Sequence, residues 1–271
     1  MADEFAVRIA VLGAEWGLGW IALAALRWFG LLLLLPALAQ SGVTLRMRVV
    51  LSLLLSMLVL PVISRTSALP PDGLIDLVGV AATELLMGAA IGLGVRLVLA
   101  AALLAGELID HQAGLAISQV FHPALEGSVS VSGQFLSWVA VAVFLLLPPF
   151  GGDVGLVVAM LDLFEQVPVG SNGLPNSPVD LLIVLTQQSL MLAVRVAAPV
   201  LAVMSLITTA VMWLERTSAG IPVAPMTNSL RVAVCLAMIV LTAPDMASGM
   251  ADSFLSLLES AAPLVVGLGD Q

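Results

Sequence analysis

Residues 73–105 read GLIDLVGVAATELLMGAAIGLGVRLVLAAALLA, and this stretch decides the fold. It is almost wholly apolar, and as a helix it would exceed ~45 Å at about 1.5 Å per residue. A helix satisfies its own backbone hydrogen bonds, so an apolar helix of about 20 residues already crosses a bilayer. The stretch therefore predicts a membrane helix that tilts, breaks or projects beyond the bilayer.

Four residues of this stretch, Glu84, Gly88, Gly92 and Arg96, are spaced four apart and share one ridge of the predicted helix. The two glycines would let another backbone approach closely. A charge in hydrocarbon costs roughly 2.5–3.5 kcal/mol, so the ridge should face protein or water. We interpret the ridge as a subunit interface. The alternative is an ion relay, but ~18 Å of helix separates the two charges and no ionisable group bridges them.

The same composition extends over the whole chain of 271 residues, of which 61% are hydrophobic and 10% charged. Soluble domains carry about 25% charged residues, so most of this surface must contact lipid or other apolar proteins. The apolar residues form six runs, with prolines such as Pro36, Pro148, Pro199 and Pro244 within or beside them. The runs are 17–39, 47–63, 73–105, 131–161, 179–214 and 230–268. They predict an all-α, polytopic protein of kinked helical hairpins that break at prolines.

The fifth run carries polar residues of its own. Gln188 and Arg195 lie two turns apart on one helical face, and Pro199 frees a backbone carbonyl that needs a new partner. We interpret Gln188, Arg195 and Pro199 as a second subunit interface.

Charge and motif content exclude several functions. The chain has nine basic residues, all arginine, against eighteen carboxylates, and its net charge of -9 offers no electrostatic surface for nucleic acid. The two histidines, His111 and His122, are too far apart for one helical metal face, and no HExxH, CxxC, Walker or GxSxG motif occurs. We predict no metal, no cofactor and no enzymatic activity.

Residues 106–133 are the least regular part of the chain and mix carboxylates, Ser, Gly and Pro with apolar residues. This segment is either an ordinary surface loop or a re-entrant, plugging element surrounded by protein or water. Asp110 and His111 are adjacent, so their side chains point in different directions. We favour a hydrated helix end over an acid/base pair for these two residues.

Four strings in this order resemble the FliR family of flagellar export-gate proteins, whose counterpart is the T subunit of the virulence type III secretion apparatus. The strings are RWFGLLLLLPALAQSGVTLRMRVVLSLLLSMLVLP from Arg27, ELLMGAAIGLGVRLVLAAALLAGELIDHQAGLAISQVFHP from Glu84, LFEQVPVG from Leu163 and RVAAPVLAV from Arg195. The likeness covers most of the chain. The form of residues 165–170, EQVPVG, looks more like the flagellar members.

The resemblance implies one export-gate domain over residues 1–271, with 1–175 similar to the gate's P subunit and 176–271 similar to its Q subunit. Its partners would be P and Q subunits, an export switch protein and membrane lipid, in a helical, pore-forming assembly at the bacterial inner membrane and flagellar basal body. Unfolded secreted proteins would be its substrates. A loop from Gly114 to Glu126 would help plug the pore, with Phe121, His122 and Pro123 at the constriction.

Two alternatives from other classes remain. A secondary transporter would also have broken helices and charges at the membrane midplane, but it predicts an internal repeat that the two halves do not show. An intramembrane enzyme built on Asp110 and His111 would need a nucleophile or a metal that the sequence does not present.

Overall fold

The computed structural model describes residues 18–35, 44–66, 73–114, 130–148, 151–170, 178–217 and 224–266. These residues contain seven α-helices and no strand, which confirms the all-α prediction. The helices are α1 (Leu18–Leu34), α2 (Leu45–Thr66), α3 (Leu74–Ala113), α4 (Val131–Leu145), α5 (Gly152–Gln166), α6 (Pro178–Thr217) and α7 (Ala224–Val266).

Three of the helices are long and apolar enough to cross a membrane. Their candidate spans are Ile75–Ala113 in α3, Leu182–Leu214 in α6 and Ser229–Leu258 in α7. Many large apolar side chains lie on the outside of the helices, for example Trp138 and Trp213, which are 69% and 72% exposed. A soluble monomer rarely exposes so much apolar surface, so lipid or other proteins must cover it.

The prolines act differently from the prediction. The fourth apolar run is split into α4 and α5 at Pro148, so the six runs form seven helices in the described residues. In contrast, α6 continues through Pro199 and α7 continues through Pro244. A proline removes one hydrogen bond, and long membrane helices tolerate this loss where neighbouring groups satisfy the freed carbonyl.

The chain forms two compact units, and each takes several separate stretches of sequence. The first unit comprises Met1–Arg96, Asp153–Leu185 and Ser256–Gln271. The second comprises Leu97–Gly152 and Thr186–Leu255. The division into P-like and Q-like portions at residues 175 and 176 concerns resemblance to other proteins and stays a prediction.

Within the first unit, glycines bring the backbones of α1 and α3 into direct contact. A Cβ atom on Gly88 would overlap the carbonyl oxygen of Arg27, and one on Gly92 would lie 2.7 Å from the carbonyl oxygen of Leu31. On the facing helix, a Cβ atom on Gly30 would lie 2.8 Å from the backbone nitrogen of Ala89. Only residues without a side chain permit this approach.

This contact corrects the interpretation of the ridge. Glu84, Gly88 and Gly92 all face α1 of the same chain, so the close helix packing predicted from their spacing is present but is not a contact between subunits. The spacing indicates that a backbone approaches, but it carries no information on which chain supplies that backbone. Arg96 is exposed, and its role at a subunit interface stays a prediction.

The α1–α3 contact can be tested by a single methyl group. Replacing Gly88 with Ala would push the backbones of α1 and α3 apart, and overpacking of this kind costs about 1–3 kcal/mol. We expect the purified Gly88→Ala protein to melt at a lower temperature in detergent than the wild type. Gly79→Ala is the control, because Gly79 lies in the same helix and a Cβ atom added there would meet nothing within 4 Å. Equal melting temperatures of the two variants would refute the tight contact.

Candidate functional site

The first unit contains a charged pair that is completely buried. Arg27, in the middle of α1, donates from Nε to Oε2 of Glu84 on α3 at 2.6 Å, and both side chains have 0% exposure. An unpaired charge at this depth would cost several kcal/mol, so each side chain requires the other. The pair joins two helices through residues that are 57 positions apart in sequence.

Arg27 also binds the end of a third helix. Its NH1 group donates to the carbonyl oxygens of Leu163 at 3.3 Å and Val167 at 3.2 Å, at the C-terminal end of α5. The carbonyl oxygen of Leu163 also accepts the backbone N–H of Val167 at 2.9 Å. The C-terminal end of a helix carries partial negative charge, so a cation is favoured there. The guanidinium carbon lies 4.5 Å from the centre of the Phe164 ring, which adds a cation–π contact.

The second oxygen of Glu84 holds the turn that follows α5. The backbone N–H of Gly170 donates to Oε1 of Glu84 at 3.0 Å. Gly170 has φ of +86°, and a Cβ atom there would also collide with the ring of Trp20. This position therefore requires glycine. We call Arg27, Glu84 and their backbone partners at residues 163, 167 and 170 the arginine node.

The sequence located half of the arginine node. It singled out Glu84 as a buried charge but related it to Arg96, which shares its helix and is exposed. The true partner, Arg27, lies in another apolar run. The sequence signal that could have identified it is a single arginine among apolar residues. This arrangement argues against an ion relay between Glu84 and Arg96, because both carboxylate oxygens of Glu84 accept hydrogen bonds, one from Arg27 and one from Gly170.

A second buried cluster joins α3 and α4 in the second unit. The hydroxyl of Ser130 donates to Oδ2 of Asp110 at 2.6 Å, and the backbone N–H of Ser132 donates to the same oxygen at 3.3 Å. Ser130 also caps α4 by accepting a hydrogen bond from the N–H of Gly133 at 2.8 Å. A Cβ atom on Gly106 would overlap the backbone of Gly133, so the two helices touch here as well.

Asp110 therefore differs from the sequence interpretation. Its exposure is 2%, so it does not belong to a hydrated helix end, whereas the neighbouring His111 is exposed. The two side chains point apart, as adjacent helical residues do. The carboxylate of Asp110 is used to bind the start of α4.

The predicted plug falls mostly outside the described residues. Gly114 follows the last turn of α3 with φ of +77°, a backbone conformation that glycine adopts readily at a helix end. Phe121, His122, Pro123 and Glu126 lie outside the described residues, and their role at a constriction stays a prediction.

The polar residues of α6 lie where the face prediction places them. Gln187, Gln188 and Arg195 are exposed, and Pro199 is half-buried. Large apolar side chains surround them on the same exposed side, including Met191 at 69%. The interpretation of this side of α6 as a subunit interface stays a prediction.

The arginine node can be tested by a double-mutant cycle. Arg27→Met or Glu84→Met alone leaves a buried charge without its partner, and breaking a buried pair costs about 3–5 kcal/mol. The double variant leaves no charge, so we expect its loss of stability to be clearly smaller than the sum of the two single losses. Thermal unfolding of the purified proteins in detergent measures all four. Arg96→Met, which removes an exposed charge from α3, should change the melting temperature little. Additive losses would refute coupling between Arg27 and Glu84.

Comparison with known proteins identifies the family that contains this helical arrangement. The family model described as bacterial export proteins, family 1, matches residues 18–257, a range that includes the whole arginine node. A relative from Caulobacter vibrioides, named flagellar biosynthetic protein FliR, is 25% identical over 228 residues, which make up 83% of this chain and 88% of the relative.

Two further relatives carry the same name. The one from Aquifex aeolicus is 31% identical over 121 residues, which cover 45% of each chain. The one from Escherichia coli is 25% identical over 172 residues, which cover 62% of this chain and 64% of the relative. Since the family model matches most of the described helices in one continuous range, the chain belongs to the bacterial export proteins, family 1.

Proposed function

We propose that this chain is the FliR-type subunit of a flagellar type III export gate. It helps form the channel through which unfolded flagellar proteins cross the bacterial inner membrane. The family match over residues 18–257 carries this proposal, and the relatives that the chain resembles are all named flagellar biosynthetic proteins. The helices long enough to cross a membrane support the same assignment.

The surface of the helices supports assembly with other subunits. Exposed charges lie within spans that are otherwise apolar, including Arg96 on α3 and Arg195 on α6. Each such charge would cost roughly 2.5–3.5 kcal/mol in lipid, so it must meet protein or water. P and Q subunits of the gate, together with an export switch protein, are the partners that this proposal assigns. The role is structural and channel-forming, without a catalytic step.

The buried clusters suit such a role. The arginine node fixes α1, α3 and the end of α5, and the Asp110 cluster fixes the start of α4 to the end of α3. The segment that follows Gly114, the proposed plug, is thereby attached at both ends to defined helices. A channel subunit needs fixed helices around any part that moves, and these contacts provide them.

Deletion of the gene in its own bacterium tests the function. We expect the deletion strain to lose swimming in soft agar and to stop secreting hook and filament proteins, because the gate lacks a subunit. Expression of the wild-type chain from a plasmid should restore both. A complementing plasmid that carries Gly79→Ala serves as a control for expression of a substituted chain.

The same strains separate the alternatives. A deletion strain that swims normally but no longer secretes virulence proteins would identify the T subunit of a virulence system instead. A strain that keeps both kinds of secretion would overturn the assignment to an export gate.

A further inference from the structure

An open cleft between α6 and α7 contains charged side chains that nothing above has assigned. All of its residues belong to the second compact unit, and its volume is about 250 Å³. Arg195 and Pro199 line it from α6, and Asp245, Ser248 and Asp252 line it from α7. The three residues from α7 follow one another at helical spacing and so lie on one face. We call this feature the charged cleft.

The three charged side chains of this cleft have no partner in the part of the chain that the structure describes. Arg195, Asp245 and Asp252 are exposed, and the sole ion pair among the described residues is the one between Arg27 and Glu84. One guanidinium and two carboxylates leave the charged cleft with one uncompensated negative charge. Inside the chain, Ser248 satisfies its hydroxyl by donating to the backbone carbonyl of Asp245 and leaves both carboxylates free.

Position rules out lipid as the neighbour. Arg195 lies near the middle of the span Leu182–Leu214, and Asp245 lies near the middle of Ser229–Leu258. Three charges in hydrocarbon would together cost on the order of 7–10 kcal/mol, even at the lower insertion values. Water or another protein must therefore occupy the charged cleft.

The surroundings favour a protein helix over water. Large exposed apolar side chains lie one helical turn from the charged residues, Met191 before Arg195 on α6 and Leu241 before Asp245 on α7, and each is more than half exposed. A water-filled path would be lined by polar groups, whereas a charged centre with an apolar border fits a helix that carries one polar residue among apolar ones.

We propose that the charged cleft receives a lysine or arginine side chain from a membrane helix of a neighbouring export-gate subunit. The incoming cation lies between Asp245 and Asp252 and brings the charged cleft, with Arg195, to two positive and two negative charges. Hydrogen bonds from a charged donor to a carboxylate are the strong ones, so the contact fixes the register of the partner helix. This inference rests on the proposed function.

Co-purification tests the proposal with the full chain in its membrane. The tagged chain is expressed with the P and Q subunits, and the amount of each that remains bound after detergent extraction is measured. We expect the double variant Asp245→Asn/Asp252→Asn to retain about tenfold less of its partner, because removal of a charge partner at a buried contact costs at least one factor of ten. The matched control is Asp153→Asn/Asp162→Asn, which neutralises two exposed carboxylates of α5 outside the charged cleft and should retain wild-type amounts.

Arg195→Gln distinguishes charge recognition from general packing. It makes the charged cleft more negative, so it should retain at least as much partner as the wild type. If Arg195→Gln and the double variant both lose partner to the same degree, the surface packs without selecting a cation and the proposal is wrong.

Three other outcomes are decisive. Wild-type retention by the double variant overturns the charged cleft as a docking site but leaves the proposed function intact. Failure of the wild-type chain to retain P and Q subunits overturns the proposed function itself. If the double variant instead loses a second, differently tagged copy of this chain, the occupant is another copy and the proposal of a different subunit is wrong.

Discussion

The buried pair between Arg27 and Glu84 is the interaction on which the rest of the first unit depends. It draws α1 and α3 together. The NH1 group of Arg27 then binds the end of α5, and the second carboxylate oxygen of Glu84 binds the turn at Gly170. The glycines at positions 88 and 92 make the pair possible, because they let the backbones approach until the two side chains can meet. A well-packed apolar cluster could provide similar stability. What the charged pair adds is direction, because its hydrogen bonds form only when α1, α3 and the end of α5 lie together.

The sequence was informative about helices and less so about their partners. The composition and the apolar runs predicted an all-α membrane protein, and the spacing of Glu84, Gly88 and Gly92 predicted a close backbone contact. The spacing did not reveal that Arg27 of the same chain lies opposite, because periodicity describes one helix at a time. Pro148 ended a helix and Pro199 did not, since the cost of a proline depends on neighbours that the sequence does not show. Asp110 was misjudged for the same reason, because its partner Ser130 lies 20 residues further along the chain.

Charges serve two different purposes in this chain. Those of the arginine node and the Asp110 cluster form hydrogen bonds inside the chain and hold helices in place. Those of α6 and α7 remain without partners within the described residues, in spans where lipid would be an unfavourable neighbour. The first set therefore belongs to folding, and we propose that the second belongs to assembly. A membrane subunit needs both sets, because apolar surfaces alone distinguish poorly between lipid and another helix.

The arginine node also constrains how the protein is made. Arg27 leaves the ribosome 57 residues before Glu84 and 140 residues before Val167. At 5–20 residues per second, the first interval is about 3–11 s. Throughout that time the first helix carries a cation that the insertion machinery cannot release into lipid at low cost. Integration of α1 must therefore wait for α3, and a nascent chain truncated before Glu84 would expose an unpaired arginine to membrane quality-control proteases.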